Sequence, residues 1–186
     1  MTGPEQRLGA RWIAATIVGW LIGFAACEAL QSFVSTYLVD GLVIGSAVGI
    51  AQWLVVRQPV SPRAGWVLAS IVGFGVGNAA AELVVPGTSS AVGYALHGAI
   101  VGAFVGLAQS LVLRRRVASA GWWVPVNGGA WALGWVPIAI AEHATGWSTI
   151  AVYVGIAAGA MVGGAITGAA LIWLLRIVPD RRPETS

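Results

Sequence analysis

The chain has 186 residues, of which 58% are hydrophobic and 9% are charged, whereas an average soluble domain carries about 25% charged residues. With ten tryptophans and a mean hydropathy of +0.82, this composition excludes a water-soluble fold and a disordered chain. The formal charge of +3 comes from ten arginines and no lysine, and we expect it to reflect membrane topology rather than nucleic-acid binding.

Six apolar segments are long enough to cross a bilayer, because a spanning helix needs about 20 mainly apolar residues. In chain order they cover residues 11–30, 37–56, 65–85, 91–113, 122–141 and 150–177. Turn-forming and charged residues separate them. We therefore predict an all-α integral membrane protein with one transmembrane domain over residues 1–186 and short polar tails at 1–10 and 178–186.

The arginines predict the orientation, because cytoplasmic loops retain positive charge. With six spans, all of them fall on one side: Arg7, Arg11, Arg57, Arg63, Arg114, Arg115, Arg116, Arg176, Arg181 and Arg182. The opposite side carries acidic residues and the two histidines. We predict a multi-pass protein of the bacterial inner membrane with both termini in the cytoplasm. Arg7 and Arg11 before an apolar stretch also fit a signal peptide, but the repeats described next favour a retained helix.

The six segments are predicted to be three copies of one helical hairpin, at about 11–57, 64–114 and 121–177. In the odd segments Trp12, Gly19, Gly23 and Glu28 match Trp66, Gly73, Gly77 and Glu82, while the third copy keeps Trp123 and Gly134 but places Glu142 three residues late. In the even segments Gln52 and Arg57 match Gln109 and Arg114 without a gap, and the third copy has Leu171 in place of the glutamine. Such repeats predict a pseudo-threefold bundle, because equivalent units bury equivalent faces.

The even segments end in the sequences QWLVVR at 52–57 and QSLVLR at 109–114. In this the chain resembles uncharacterised bacterial polytopic membrane proteins built from repeated two-helix hairpins with a QWLVLR-like helix end. The resemblance implies the same architecture and brings no activity with it.

Glycines recur every four residues on the even segments, a glycine-zipper pattern that lets helix backbones approach closely in lipid. They are Gly41, Gly45 and Gly49, then Gly98, Gly102 and Gly106, and in the last segment Gly155, Gly159 and Gly163 together with Gly164 and Gly168. We predict helix packing for them, with a narrow pore wall as the alternative. Gln52 and Gln109 lie on the same face and are predicted to bond between helices or to contact a substrate.

Three carboxylates close the odd segments: Glu28, Glu82 and Glu142. Trp12 and Glu28 are 16 residues apart, which is about 24 Å of helix against a hydrocarbon thickness of about 30 Å. We therefore expect these carboxylates just inside the outer boundary, at helix C-termini where the helix dipole disfavours negative charge. A partner, a proton or a cation should compensate them, or they extend to lipid headgroups. The sequence leaves open whether they face the centre, a neighbouring hairpin or lipid.

Further candidate residues within or next to the spans are Asn78, Asn127, Asp40, His97 and His143. Asn127 matches Thr16 and Ser70 in the repeats and predicts a helix-to-helix hydrogen bond. Asp40 and the histidines are interpreted as helix caps or carboxylate partners that make the outer face pH-sensitive. Ligation of a haem or chlorophyll by the two histidines is the alternative.

The tryptophans fall into two groups by depth. Trp12, Trp66, Trp122 and Trp123 are predicted to anchor the cytoplasmic interface and Trp147 the outer one. Trp20, Trp131 and Trp135 lie deeper, and they either fill space or stack on a flat ligand such as a quinone or pigment.

The sequence contains no catalytic triad, phosphate loop or metal-ligand cluster, so we predict that the protein is not an enzyme and needs no cofactor. The leading hypothesis is passage or binding of a small cation or proton at the repeat interface. Its candidate residues are Glu28, Glu82, Glu142, Gln52, Gln109, Asn78 and Asn127. The alternative is a structural or ligand-binding subunit of a larger membrane complex. Lipid is the expected partner, with a homo-oligomer or larger complex as further options and no nucleic acid.

Overall fold

The computed structural model describes residues 3–31, 36–58, 64–87, 90–146 and 148–176. In these ranges six long helices follow one another: α1 (Pro4–Leu30), α2 (Tyr37–Val56), α3 (Gly65–Val84), α4 (Ala91–Leu113), α5 (Trp123–Thr145) and α6 (Thr149–Arg176). A single 3-10 turn, Ala120–Trp122, precedes α5. All six helices are long and apolar enough to span a membrane, which confirms the predicted all-helical, multi-pass class.

The observed helix bounds agree with the predicted ones within a few residues, except at two ends. The first helix begins at Pro4, inside the predicted polar tail, because proline fits the first helical position and the Gln6 side chain accepts a hydrogen bond from the backbone N–H of Gly3. The fifth helix continues to Thr145 and stops at Gly146, which takes a left-handed conformation with φ of 60°. The predictions for Arg63, Trp147, Arg181 and Arg182 lie outside the described residues.

The helices form a closed ring. Each packs against its neighbours in chain order, and α6 packs against α1. Neighbours are antiparallel, as the α1–α2 contacts show: Gly19 lies against Val48 and Gly23 lies against Ile44. The odd helices therefore all start at one end of the ring. We call it the arginine end, because every described arginine lies there, and we call the opposite end the carboxylate end.

Glycines allow the backbones of neighbouring helices to approach closely around the ring. Gly41, Gly45 and Gly49 lie against α3, Gly98, Gly102 and Gly106 against α5, Gly159 against Gly134 of α5, and Gly164 and Gly168 against α1. The named glycines of α2 and α4 thus lie against the next helix in chain order, whereas Gly19 and Gly23 lie against α2. Backbone atoms lie close beside most of these glycines, and Gly168 lies against the Trp12 side chain, as expected for close helix packing.

The outer surface of the ring is apolar on every side. Each helix exposes large apolar side chains, among them Ile22, Leu54, Leu68, Leu107, Leu133 and Val154. A soluble protein does not expose apolar surface around its whole circumference. The ring is therefore built to contact the lipid bilayer.

We expect Gly45→Ala to lower stability, because a methyl group at Gly45 would lie 2.7 Å from the carbonyl oxygen of Ser70 and 2.9 Å from the Cα of Ile71. Backbone atoms cannot rotate away, so α2 and α3 must separate, at about 1–3 kcal/mol. Gly129→Ala is the matched control, since nothing lies within 4 Å of a methyl group there and alanine favours a helix by up to about 1 kcal/mol. Thermal unfolding in detergent measures both, and equal melting temperatures for the two variants would contradict the described packing.

Candidate functional site

Three tryptophans close the axis of the ring near the arginine end. Trp12, Trp66 and Trp123 come from the odd helices and contact one another edge to face, with ring centroids 5.8, 6.2 and 6.1 Å apart. Their exposure is 1% or less. We call them the tryptophan triangle. The prediction that they anchor the membrane interface is wrong, because they point inward to the axis; Trp122, which is 61% exposed, points outward instead.

Each indole N–H of the tryptophan triangle donates to a side chain on the preceding even helix around the ring. The bonds run from Trp66 to Oε1 of Gln52 (3.3 Å), from Trp123 to Oε1 of Gln109 (2.8 Å) and from Trp12 to Oγ1 of Thr167 (2.9 Å). All six side chains are buried. Because a buried indole donor needs an acceptor, these bonds fix which helix lies beside which.

The same glutamines also bond on their amide side. Nε2 of Gln52 donates to Thr16 (3.1 Å) and Nε2 of Gln109 donates to Ser70 (2.9 Å). Thr16, Ser70 and Asn127 each donate to the carbonyl four residues earlier, which belongs to a residue of the tryptophan triangle. Gln52 and Gln109 thus bond between helices, as predicted. The hydrogen bond described for Asn127 stays within α5 and does not reach another helix as predicted.

A second aromatic layer lies one step deeper along the axis. It consists of Trp20, Phe74 and Trp131, each eight residues after a member of the tryptophan triangle, with ring centroids 5.6, 5.1 and 6.3 Å apart. All three side chains are buried. We call this set the inner aromatic layer. Together the two layers fill the axis of the ring.

A cavity of about 270 Å³ lies on the carboxylate side of the inner aromatic layer, and all six helices contribute to its lining. Trp20, Phe24 and Trp135 supply aromatic surface, and isoleucine and valine side chains supply most of the rest. The lining also includes Tyr37, which is 46% exposed, and Gly87 in the loop after α3. The cavity therefore extends from the inner aromatic layer to the surface at the carboxylate end.

The polar groups of the cavity are Asp40, Asn78, Glu82 and His97, together with the hydroxyls of Tyr37 and Tyr94. Asp40 lies in the first turn of α2 and Glu82 in the last turn of α3. The amide of Asn78 donates to the carbonyl of Phe74, so its Oδ1 accepts from Nε2 of His97 at 3.2 Å. The imidazole also lies 4.6 Å from the indole of Trp135. Among the described lining residues none is an arginine or a lysine.

The three glutamates face neighbouring helices, one of the alternatives that the sequence left open. Glu82 lies beside the hydroxyl of Tyr37 on α2, and Glu142 accepts a hydrogen bond from Tyr94 on α4. Glu28 accepts one from Tyr153 on α6 at 2.6 Å and is exposed. We call these contacts the tyrosine–glutamate pairs. Among the described residues that line the cavity, Glu82 is the one glutamate.

The sequence analysis missed the tyrosines, although a signal was present. Tyr37 and Tyr94 are separated by the same interval as Gln52 and Gln109, and all three tyrosines of the chain start an even helix. A tyrosine hydroxyl on an even helix is well placed to donate to the glutamate that ends an odd helix, since neighbours are antiparallel.

The two histidines have different surroundings. His97 is buried in the cavity wall, whereas His143 is exposed on α5 and its Nδ1 donates to the carbonyl of Ala139 at 2.7 Å. Over the described ranges no group of three or more His, Cys, Asp or Glu side chains is arranged to hold a metal ion. The chain thus presents one imidazole to the cavity, beside two carboxylates.

We expect Gln109→Leu to lower the free energy of unfolding by about 1–3 kcal/mol, because it leaves the Trp123 N–H buried without its acceptor and removes the bond that Ser70 accepts. Gln58→Leu, on the exposed side of the loop after α2, is the control and should change it little. A double-mutant cycle with Trp123→Phe isolates the bond. Unfolding by denaturing detergent is measured for the wild type, the two single variants and the double variant of the cycle, and for the Gln58→Leu control. A coupling energy of zero would show that the bond contributes nothing to stability.

No family model matches the chain, and no curated protein or solved structure matches it either. The function is therefore inferred from the cavity itself, which has two carboxylates and an aromatic floor.

Proposed function

We propose that the chain folds as three helical hairpins, α1–α2, α3–α4 and α5–α6, related by a pseudo-threefold axis through the ring. The recurrence of contacts along this axis supports the proposal. The tryptophan triangle and the inner aromatic layer each take one side chain from every hairpin. The three indole bonds of the triangle each join a hairpin to the next one. The glycines of α2 and α4, and Gly164 and Gly168 of α6, lie at the same boundaries.

We also propose that the protein lies in a bacterial inner membrane with both termini in the cytoplasm. The support is the separation of charge between the two ends of the ring. The arginine end carries Arg7, Arg11, Arg57, Arg114, Arg115, Arg116 and Arg176, of which Arg176 pairs with Glu5. The carboxylate end carries Asp40 and the tyrosine–glutamate pairs. A positive cytoplasmic side places the cavity on the outer side of the membrane.

Cysteine labelling tests this orientation. In a Cys27→Ala background, we expect Gln31→Cys, at the carboxylate end, to react in intact cells with a maleimide that does not cross the membrane. Ala118→Cys, at the arginine end, should react only after the cells are opened. Both positions are exposed, so detergent-solubilised protein should label at either one and serves as the control. The reverse pattern in intact cells would overturn the orientation.

The cavity supports binding of a small cation from the outer side, and we propose this as the function. The observation that carries the proposal is a cavity lined by all six helices that holds two carboxylates, Asp40 and Glu82, and no described arginine or lysine. Carboxylates held in a partly desolvated space attract a cation more strongly than they do in water. The α3 dipole adds to this, because Glu82 lies at a helix C-terminus where negative charge favours a compensating cation.

The packing of aromatic side chains along the ring axis favours binding of a cation over its passage through the bundle. Between the cavity and the arginine end lie the inner aromatic layer and the tryptophan triangle, each a set of three rings in mutual contact. An ion crossing the bundle would have to displace both layers and break the buried indole bonds. The proposed function is therefore that of a binding protein whose site opens on one side of the membrane.

A ligand-binding subunit of a larger complex is the second candidate, favoured by the indole rings of Trp20 and Trp135 in the cavity. The volume of about 270 Å³ lies below the range of about 300–1,000 Å³ that is usual for sites of drug-sized ligands. A pigment of haem size therefore exceeds the space. A purified protein that is coloured, or that retains a stoichiometric partner in detergent, would favour this candidate.

We expect Glu82→Gln to weaken cation binding at least tenfold. A unit charge about 4 Å away contributes about 4 kcal/mol at an effective dielectric constant of about 20, and a tenfold loss requires about 1.4 kcal/mol. The amide oxygen remains an acceptor beside the Tyr37 hydroxyl, so the fold is retained. Glu28→Gln is the matched control, since Glu28 ends α1 and pairs with Tyr153 but is not part of the cavity lining.

Isothermal titration calorimetry of the purified protein with Na⁺, K⁺ and tetramethylammonium measures this effect. The control should keep the wild-type affinity within about twofold. Absence of binding for all three cations, or equal losses in the two variants, would refute the proposed site.

A further inference from the structure

The carboxylates of the cavity lie near its mouth. Asp40 and Glu82 lie within one helical turn of the carboxylate end of their helices. Trp20, by contrast, lies ten residues before the end of α1, or about 15 Å below that end at 1.5 Å per residue. Between these levels the wall consists of Phe24, Trp135 and aliphatic side chains, together with Asn78 and His97. A ligand that fills the cavity therefore meets negative charge at one end and a mainly aromatic and aliphatic wall below it.

This lining does not suit a bare inorganic ion. Divalent cations and dehydrated alkali ions need several oxygen ligands around them, and no metal-holding group of three or more His, Cys, Asp or Glu side chains occurs over the described residues. Two carboxylates on one side and indole rings on the other leave most of the coordination shell of such an ion empty.

The same lining suits an organic cation. Trp and Phe faces attract cations whose charge is spread over alkyl groups, and they do so most strongly when water is excluded. The alkyl groups also bury apolar surface against Phe24 and the aliphatic wall, which a hydrated alkali ion cannot do. A cavity of about 270 Å³ has the size of a small ligand of this class.

Two indole N–H groups at the cavity lack a hydrogen-bond acceptor. Trp20 is 4% exposed, lines the cavity, and its Nε1 has no hydrogen-bond partner among the described residues; the Nε1 of Trp135 is in the same condition. Buried donors are rarely left unpaired. Two such donors on the wall of one cavity can be satisfied by an acceptor oxygen from outside the chain, such as the hydroxyl oxygen of a hydroxyalkylammonium ion.

We propose that the ligand of this cavity is a small alkylammonium cation that carries a hydroxyl group. Its charge faces Asp40 and Glu82, its alkyl groups lie on Phe24, Trp20 and Trp135, and its hydroxyl oxygen accepts from one of the unpaired indole N–H groups. This inference rests on the proposed cation-binding function and names its substrate class. In this proposal the aromatic wall selects organic over inorganic cations, and the carboxylates at the mouth recognise the charge. The two roles can be tested separately.

The test compares choline, its neutral carbon isostere 3,3-dimethylbutan-1-ol, and K⁺ by isothermal titration calorimetry on the full chain in detergent. We expect choline to bind at least tenfold more tightly than both other probes. If K⁺ binds as tightly as choline, and Glu82→Gln still weakens that binding, the alkylammonium inference is overturned. The proposed cation-binding function would then still hold. Tighter binding of the neutral isostere would overturn both, as would absence of binding by all three probes.

Variants of the aromatic wall give a second readout. We expect Trp135→Leu to weaken choline at least fivefold and to leave K⁺ unchanged, whereas Trp122→Leu, on the exposed surface, should change neither. Phe24→Leu keeps an apolar side chain in place and serves if Trp135→Leu does not fold, as judged by thermal unfolding. Unchanged choline affinity in a folded wall variant would overturn the role of the aromatic wall.

Discussion

The structure depends on burying three indole N–H groups at the centre of a bundle that offers no water to satisfy them. The three rings of the tryptophan triangle fill the axis, and each N–H needs an acceptor on the preceding even helix around the ring. Gln52, Gln109 and Thr167 supply these acceptors. Because an unpaired donor in an apolar interior costs more than the bond itself contributes, the bonds specify neighbours more than they add stability. In lipid, where helices gain no hydrophobic energy by associating, such specificity determines the order of the ring.

Glycines then determine how narrow that ring is. Where Gly19 lies against Val48 or Gly45 against Ser70, an added methyl group would meet backbone atoms, so the helices are as close as their main chains allow. A ring of six helices at this spacing has room along its axis for one layer of three aromatic rings at a time. The two layers fill it, and the cavity exists only beyond them, where the third level of side chains no longer consists of three large rings.

The sequence predicts the helices and their contacts better than it predicts the direction of individual side chains. Apolar length located all six helices, and glycine spacing indicated which faces pack closely. Trp66 was misassigned to the membrane interface because a tryptophan at a helix start has the same sequence signature whether it faces lipid or the axis. Glu28 and Glu82 match in the repeat register, yet only Glu82 lines the cavity. That difference arises from the side chains that surround each glutamate on neighbouring helices. The periodicity of one helix does not predict those neighbours.

The same difference explains where the proposed binding site lies. In the tryptophan triangle the three hairpins supply the same residue type, and in the inner aromatic layer they supply two tryptophans and Phe74. Four residues later the corresponding positions hold Phe24, Asn78 and Trp135, and the even helices contribute Asp40, His97 and Ile156 to the cavity lining. Three equal hairpins would make an axis with three equal walls, which cannot orient a ligand that has a charged end and an apolar body. The departures from the repeat are concentrated at the carboxylate end, and they give the cavity an acidic side and an aromatic side. The near-identical levels hold the bundle together, and the divergent level supplies its chemistry.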